Sequence, residues 1–119
     1  MKDRLLFIVN VDWFFISHRL PIAIEALKKG YEVHIATTIS NDAHKLEDYG
    51  FVVHPIKLER GKSNIFLSII SIFQIFNIIK KIRPSILHLI TIKPILYGGI
   101  VARFLKVPFV VVSISGLGF

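Results

Sequence analysis

Apolar residues along the chain follow two alternating rhythms. Short, nearly continuous runs occupy 4–11 (RLLFIVNV), 31–37 (YEVHIAT), 51–56 (FVVHPI), 85–90 (SILHLI) and 108–114 (PFVVVSI). Continuous runs of this length suit strands covered on both faces, whereas a half-exposed strand alternates. Between the runs the spacing changes. In 18–29, Leu20, Ala23, Ile24 and Leu27 recur at steps of three and four, Glu25, Lys28 and Lys29 fall on the other side, and Gly30 marks the end. A shorter helix fits 41–49 and stops at Gly50, and Pro94 opens another that runs to Lys106.

The stretch 63–79 (SNIFLSIISIFQIFNII) passes seventeen residues without a charge, at the short limit for a membrane span. Asn64, Ser68, Ser71, Gln74 and Asn77 nevertheless recur at steps of three and four. A lipid-facing span gains nothing from one polar stripe, whereas a helix laid on a sheet turns it to water. The pattern predicts a packed amphipathic helix over 63–83, polar stripe outward, stopped by Pro84 before the fourth strand. Gly98 and Gly99, inside the last helix, each cost about 1 kcal/mol against Ala and imply close packing of that helix on the sheet.

Strand and helix thus alternate along the whole chain. Right-handed crossovers between parallel strands then give a doubly wound, Rossmann-like α/β sheet of about five strands in the order 3-2-1-4-5, with helices on both faces. No linker or low-complexity segment interrupts 1–119, which reads as one domain.

Composition narrows the function. There is no cysteine, so neither a disulfide framework nor a zinc–thiolate site can form. Basic residues precede the first apolar run, but Asp3 and Asp12 flank it and no small-residue cleavage site follows; a first strand is expected there, not a secretory leader. Net charge is +7, from 15 Lys and Arg against 8 Asp and Glu, with clusters at Lys57, Arg60 and Lys62 and at Lys80, Lys81 and Arg83. Such charge favours anionic partners, namely phosphorylated substrates or an acidic membrane surface. Nucleic acid is not expected as a partner. The basic residues are scattered over loops and helix ends, and no basic, aromatic-interleaved strand or recognition helix occurs.

Ligands of doubly wound sheets sit at the carboxyl ends of the strands. Chemistry is therefore expected in DWFFISHR after the first strand, TIKP after the fourth and SGLGF after the fifth. These loops bring Asp12, His18 and Arg19, then Thr91 and Lys93, then Gly116 and Gly118, which form the candidate substrate-binding set. Arg and Lys suit phosphate oxygens, and glycines let backbone N–H groups approach an anion. No metal or cofactor is expected, and no motif names a catalytic residue. His34, His54 and His88 lie within strands without a shared carboxylate or metal spacing, and read as structural.

The stretches NVDWFFISHRLPIA, LITIKPILYGG and VVVSISGLGF, in this order, resemble the start of a family-four glycosyltransferase of the GT-B fold. The resemblance is strongest to bacterial enzymes that extend lipid-linked oligosaccharides, capsules and O-antigens, and it covers essentially the whole chain. It implies an N-terminal acceptor-binding domain. In the family a second Rossmann-like domain, further along, grips the nucleotide-sugar, and transfer retains the anomeric configuration. The family's C-terminal E-x7-E signature is absent, as are two adjacent glycines in the first loop. Ser113-Ile114-Ser115 stands where some relatives carry a histidine.

The resemblance therefore implies the acceptor-side half of a transferase, truncated before the donor-binding domain and inactive alone. The alternative is a non-catalytic, membrane-associated subunit of a split transferase that presents the acceptor to a partner. A nucleotide-sugar donor enters only with a C-terminal domain or partner subunit. The implied acceptor is a polyprenyl-diphosphate-linked sugar, met by His18, Arg19 and Lys93, with Trp13, Phe14 and Phe15 near the lipid. The implied location is cytoplasmic and peripheral, at the inner face of the plasma membrane.

Overall fold

The computed structural model describes residues 3–11, 19–39, 43–57, 65–90 and 92–113. Strands β1 (Arg4–Val11), β2 (Glu32–Thr38), β3 (Val52–Pro55), β4 (Ile86–Ile90) and β5 (Phe109–Ser113) form one parallel sheet in the order β3-β2-β1-β4-β5. Helices α1 (Leu20–Lys28), α2 (Ala43–Asp48), α3 (Ile65–Ile82) and α4 (Ile92–Leu105) make the crossovers. The doubly wound order expected from the apolar rhythm is the order observed. Right-handed crossovers travel outward from β1 in both directions, which sends α1 and α2 to one face and α3 and α4 to the other.

Because the central strands are apolar at consecutive positions, both faces of the sheet are sealed. Leu5, Phe7, Val9, Val33 and Ile35 meet Ala23, Leu46 and Phe51 on the α1–α2 side. Leu6, Ile8, Ala36, Leu87 and Leu89 meet Ile75, Ile79, Val101 and Ala102 on the other. The helices end on left-handed backbone. Gly30 (φ 94°) and Gly50 (φ 100°) follow α1 and α2, whereas Arg83 (φ 52°) and Lys106 (φ 56°) follow α3 and α4. A side chain in that conformation costs roughly 1–2 kcal/mol, offset in part by a cation at the carbonyl end of a helix.

Three details depart from the sequence reading. Helix α4 begins at Ile92, so Pro94 sits within its first turn instead of opening it. Gly98 packs as expected, since a Cβ there would run into the side chain of Leu89. Nothing lies within 4 Å of the same position at Gly99, which the helical period turns off the sheet.

The third departure is the larger one. Helix α3 lies on the sheet as expected, but its polar stripe is not turned outward. Ser71 is buried, Ser68 Oγ shares a 3.0 Å hydrogen bond with Tyr97 Oη on α4, and Gln74 pairs with the backbone of Lys57 at 3.0 and 2.9 Å. Of the remaining stripe, Asn77 is exposed and Asn64 lies outside the described residues. Ile65, Phe66, Ile69, Ile70 and Phe73 face outward in its place. The serine and glutamine side chains find partners in neighbouring elements, and this decides the rotation of a helix that is apolar on nearly every side.

Candidate functional site

Strand β1 does not run straight to its end. Its register against β2 shifts between Val9, opposite Thr37, and Val11, opposite Thr38, leaving Asn10 as the extra residue. Such bulges re-aim side chains beside functional sites. Asn10 Oδ1 is buried and has no hydrogen-bond partner among the described residues. A buried oxygen left in that state costs about 1–3 kcal/mol.

The chain is described again from Arg19, at the N-cap of α1, whose carbonyl accepts the first helical bond from the Ala23 N–H at 3.3 Å. Arg19 is half-buried, and its charge reaches His88 on β4. His88 stands opposite Phe7 in the sheet register, with the two ring centroids 5.0 Å apart, and is buried. Its Nε2 shares a 2.6 Å hydrogen bond with Ser113 Oγ at the end of β5. Burial first, and the Arg19 guanidinium second, hold the His88 pKa below the ordinary 6.5. The imidazole is therefore neutral at pH 7, beside a cation and a hydroxyl. Lys93 is half-buried in the first turn of α4, just past the end of β4. A lysine at a helix N-terminus is opposed by the dipole, so an anion at that edge would stabilise it.

Of the candidate set, the structure places Arg19 and Lys93 at the carboxyl edge of the sheet, and the Arg19 charge acts on His88, which is hydrogen-bonded to Ser113. Asp12, His18, Thr91, Gly116 and Gly118 lie outside the described residues, as do Trp13, Phe14 and Phe15. Sequence reasoning missed Asn10 and set His88 aside. The available signal was chemical: a polar residue inside an apolar strand must find a partner when buried, but the partner's identity depends on strand pairing.

A second histidine cluster ties the other half of the sheet. Arg4 Nε lies 3.4 Å from Glu32 Oε1, which lies 2.6 Å from His34 Nε2, while His34 Nδ1 and His54 Nε2 are 2.9 Å apart. His34 does share a carboxylate, contrary to the sequence reading, because residues two apart on a strand stand on one face. The carboxylate can only accept, so His34 Nε2–H donates to Glu32, and the proton between His34 Nδ1 and His54 Nε2 can sit on either ring. Burial, then the His34 and Lys81 charges, hold His54 below 6.5. These groups are occupied with one another across β1, β2 and β3. Among the described residues, no group of three or more His, Asp or Glu is placed to hold a metal ion.

A parallel sheet of this order, with cations gathered at its carboxyl edge, is a Rossmann-like domain of the kind that forms the halves of GT-B glycosyltransferases. The chain belongs to the glycosyl transferase 4-like family, which it matches over residues 4–119. It is 31% identical over 91 residues to a UDP-N-acetylglucosamine–N-acetylmuramyl-(pentapeptide) pyrophosphoryl-undecaprenol N-acetylglucosamine transferase of Rickettsia akari (strain Hartford), covering 73% of this chain and 24% of the relative. The chain thus spans about a quarter of the length of that curated relative. In structure it is similar to Acinetobacter baumannii MurG (TM-score 0.74, 17% identity, 94% of this chain and 34% of that one). It is also similar to a glycosyltransferase of Rickettsia africae ESF-5 (TM-score 0.70, 18% identity, 93% and 29%). At these identities the structural likeness speaks to the fold, and the family rests on the sequence match.

Proposed function

We propose that this chain is the acceptor-binding half of a retaining glycosyltransferase of lipid-linked oligosaccharide, capsule or O-antigen synthesis, peripheral at the inner face of the plasma membrane. The observation that carries the reading is that mid-strand His88 connects Arg19 and Ser113, both at the carboxyl edge, where Lys93 and Asn10 also stand. Two cations suit the diphosphate of a polyprenyl-diphosphate-linked sugar, each charged hydrogen bond contributing about 1.5–3 kcal/mol where water is excluded. Asn10 Oδ1 would accept from a sugar hydroxyl. A neutral His88 orients Ser113 without adding a charge that repels Arg19. The name of the Rickettsia akari relative, a transferase acting on a pyrophosphoryl-undecaprenol acceptor, supports the acceptor class. The nucleotide-sugar belongs to a further domain or a partner subunit. That domain or subunit would supply the stabilisation of the leaving diphosphate.

Binding of a polyprenyl-diphosphate-linked sugar in detergent micelles tests this. Arg19→Ala with Lys93→Ala should weaken it at least about a hundredfold, from two charged hydrogen bonds. Lys28→Ala with Lys29→Ala, on exposed residues at the end of α1, should leave it unchanged. Equal loss in both double variants would reduce the attraction to diffuse charge and end the site assignment.

A further inference from the structure

Helices α3 and α4 hand over to β4 and β5 at the amino edge of the sheet, the end opposite Arg19 and Lys93. The two handovers enclose a cleft of about 490 Å³, lined by Lys80, Arg83 and Lys106 together with Pro84, Leu105 and Pro108. A doubly wound sheet takes its ligands at the other edge, so the topology alone gives these three cations no task.

Two of the cations stand on unusual backbone. Gly30 and Gly50 follow α1 and α2 in the left-handed region, but after α3 and α4 the same conformation is held by Arg83 (φ 52°) and Lys106 (φ 56°). Long side chains seldom adopt it, and where they do the surroundings or a function impose it. Arg83 also precedes Pro84, which ordinarily favours extended backbone before it. Glycine would end either helix at lower cost, so what both places retain is the cation. The turns that carry them are well held: Arg83 N–H donates to the Ile79 carbonyl at 2.8 Å, Val107 N–H to Ala102 at 3.0 Å and Ser85 N–H to Arg4 at 2.9 Å.

Charge decides what the cleft can hold. Residues 60–119 contain no Asp or Glu, and among the described residues none of the three cations is in an ion pair. Each helix carboxyl end supplies about half a negative charge, so the two ends leave roughly two of the three positive charges unmatched. One phosphomonoester, about −1.5 to −2 at pH 7, balances that. The other walls, Pro84, Leu105 and Pro108, are apolar. Ser85 Oγ already donates to the Arg4 carbonyl at 3.1 Å, so hydroxyls buried there would go unpaired. A flat ring against the two prolines loses nothing, and apolar walls with a few placed charges are the usual make-up of a small-molecule site.

We propose that this cleft binds a small soluble phosphomonoester carried on a flat ring, the chemistry of a nucleoside monophosphate. Arg83 and Lys106 clasp the phosphate, Lys80 completes its charge, and the ring lies between Pro84 and Pro108. The site is at the opposite edge of the sheet from the acceptor site and does not rest on that reading.

Calorimetric titration of the full chain carrying Arg19→Ala and Lys93→Ala, which silences anions at the carboxyl edge, tests this. Phenyl phosphate and adenosine monophosphate should each bind at least about tenfold more tightly than inorganic phosphate. Glycerol phosphate, with hydroxyls in place of a ring, should bind no more tightly than inorganic phosphate. Adding Arg83→Gly with Lys106→Gly should weaken phenyl phosphate binding at least about tenfold. The melting temperature should be kept or rise, because glycine takes the left-handed backbone freely. Arg83→Gln with Lys106→Gln should weaken binding as much. Lys28→Gln with Lys29→Gln, which removes the same charge at the end of α1, should leave it unchanged. Equal affinity for phenyl phosphate and inorganic phosphate would overturn the proposal. So would a glycine variant that melts lower and binds like its parent, since the cations would then be helix caps only. Displacement of phenyl phosphate by phosphatidylglycerol vesicles would also sink it, by assigning the cations to a bilayer.

Discussion

His88 on β4 and Ser113 on β5 hold one another at 2.6 Å, Nε2 to Oγ, and Arg19 reaches the same imidazole from the start of α1. Three chain segments far apart in sequence are thereby referred to one ring.

Removing either partner should expose this strut. His88→Ala loses the Phe7 contact and the hydrogen bond, and should cost about 2–3 kcal/mol. Ser113→Ala leaves a buried ring nitrogen unpaired and should cost about 1–2 kcal/mol. The double variant should fall short of the sum by about 1 kcal/mol, as contacting residues do. Urea unfolding of the four proteins gives the coupling; strict additivity would mean that the bond contributes nothing.

Acid should destabilise the fold early. His88 and His54 are both held below 6.5, burial being the larger cause in each. As pH falls, the unfolded chain therefore takes up protons before the native chain does. Stability is complete above about 6.5 and is lost as pH drops from there through the lowered native values. The urea midpoint should be flat from pH 8 to 7 and decline below pH 6.5. His88→Gln with His54→Gln should flatten that decline, and a midpoint that climbs on acidification would contradict the assignment.

Adjacent glycines of α4 should respond in opposite directions. Gly98→Ala gains about 1 kcal/mol of helix propensity but forces the fully buried Leu89 to move, an overpacking cost of about 1–3 kcal/mol. Gly99→Ala meets open space and should stabilise by about 0.5–1 kcal/mol. Thermal scans should show a lower midpoint for the first variant and a higher one for the second.

Asn10 separates stability from binding. Its unpartnered Oδ1 makes no hydrogen bond to lose among the described residues, so Asn10→Ala should not lower the unfolding free energy and should raise it by up to about 1–3 kcal/mol as the unpaired buried oxygen is removed. Micelle binding of the acceptor should weaken by up to about tenfold, one neutral hydrogen bond of about 0.5–1.5 kcal/mol. A large loss of stability with unchanged binding would place the residue in the scaffold and outside the site.

The order of the sheet was legible from residues alone. Continuous apolar runs separated by amphipathic segments leave parallel strands and crossover helices as the economical arrangement, and the fixed hand of crossovers narrows the order to the few doubly wound ones, 3-2-1-4-5 among them. Gly30, Gly50 and Pro84 mark ends that any fold of this chain must respect, because their backbone preferences are local. The cations of the first and fourth loops could be assigned to the ligand edge for the same topological reason.

Relationships between elements were decided only by tertiary structure. The rotation of α3 could not be read from a helix whose apolar residues surround its axis, since burial alone has little angular preference there. Hydrogen bonds to Tyr97 and the Lys57 backbone chose it and left Phe66 and Phe73 outside. The pairing of His34 with Glu32 and His54, and of His88 with Ser113, follows from which residues the strand registers set opposite one another. Sequence spacing determines which side of a strand a residue occupies, but a neighbouring strand supplies its partner.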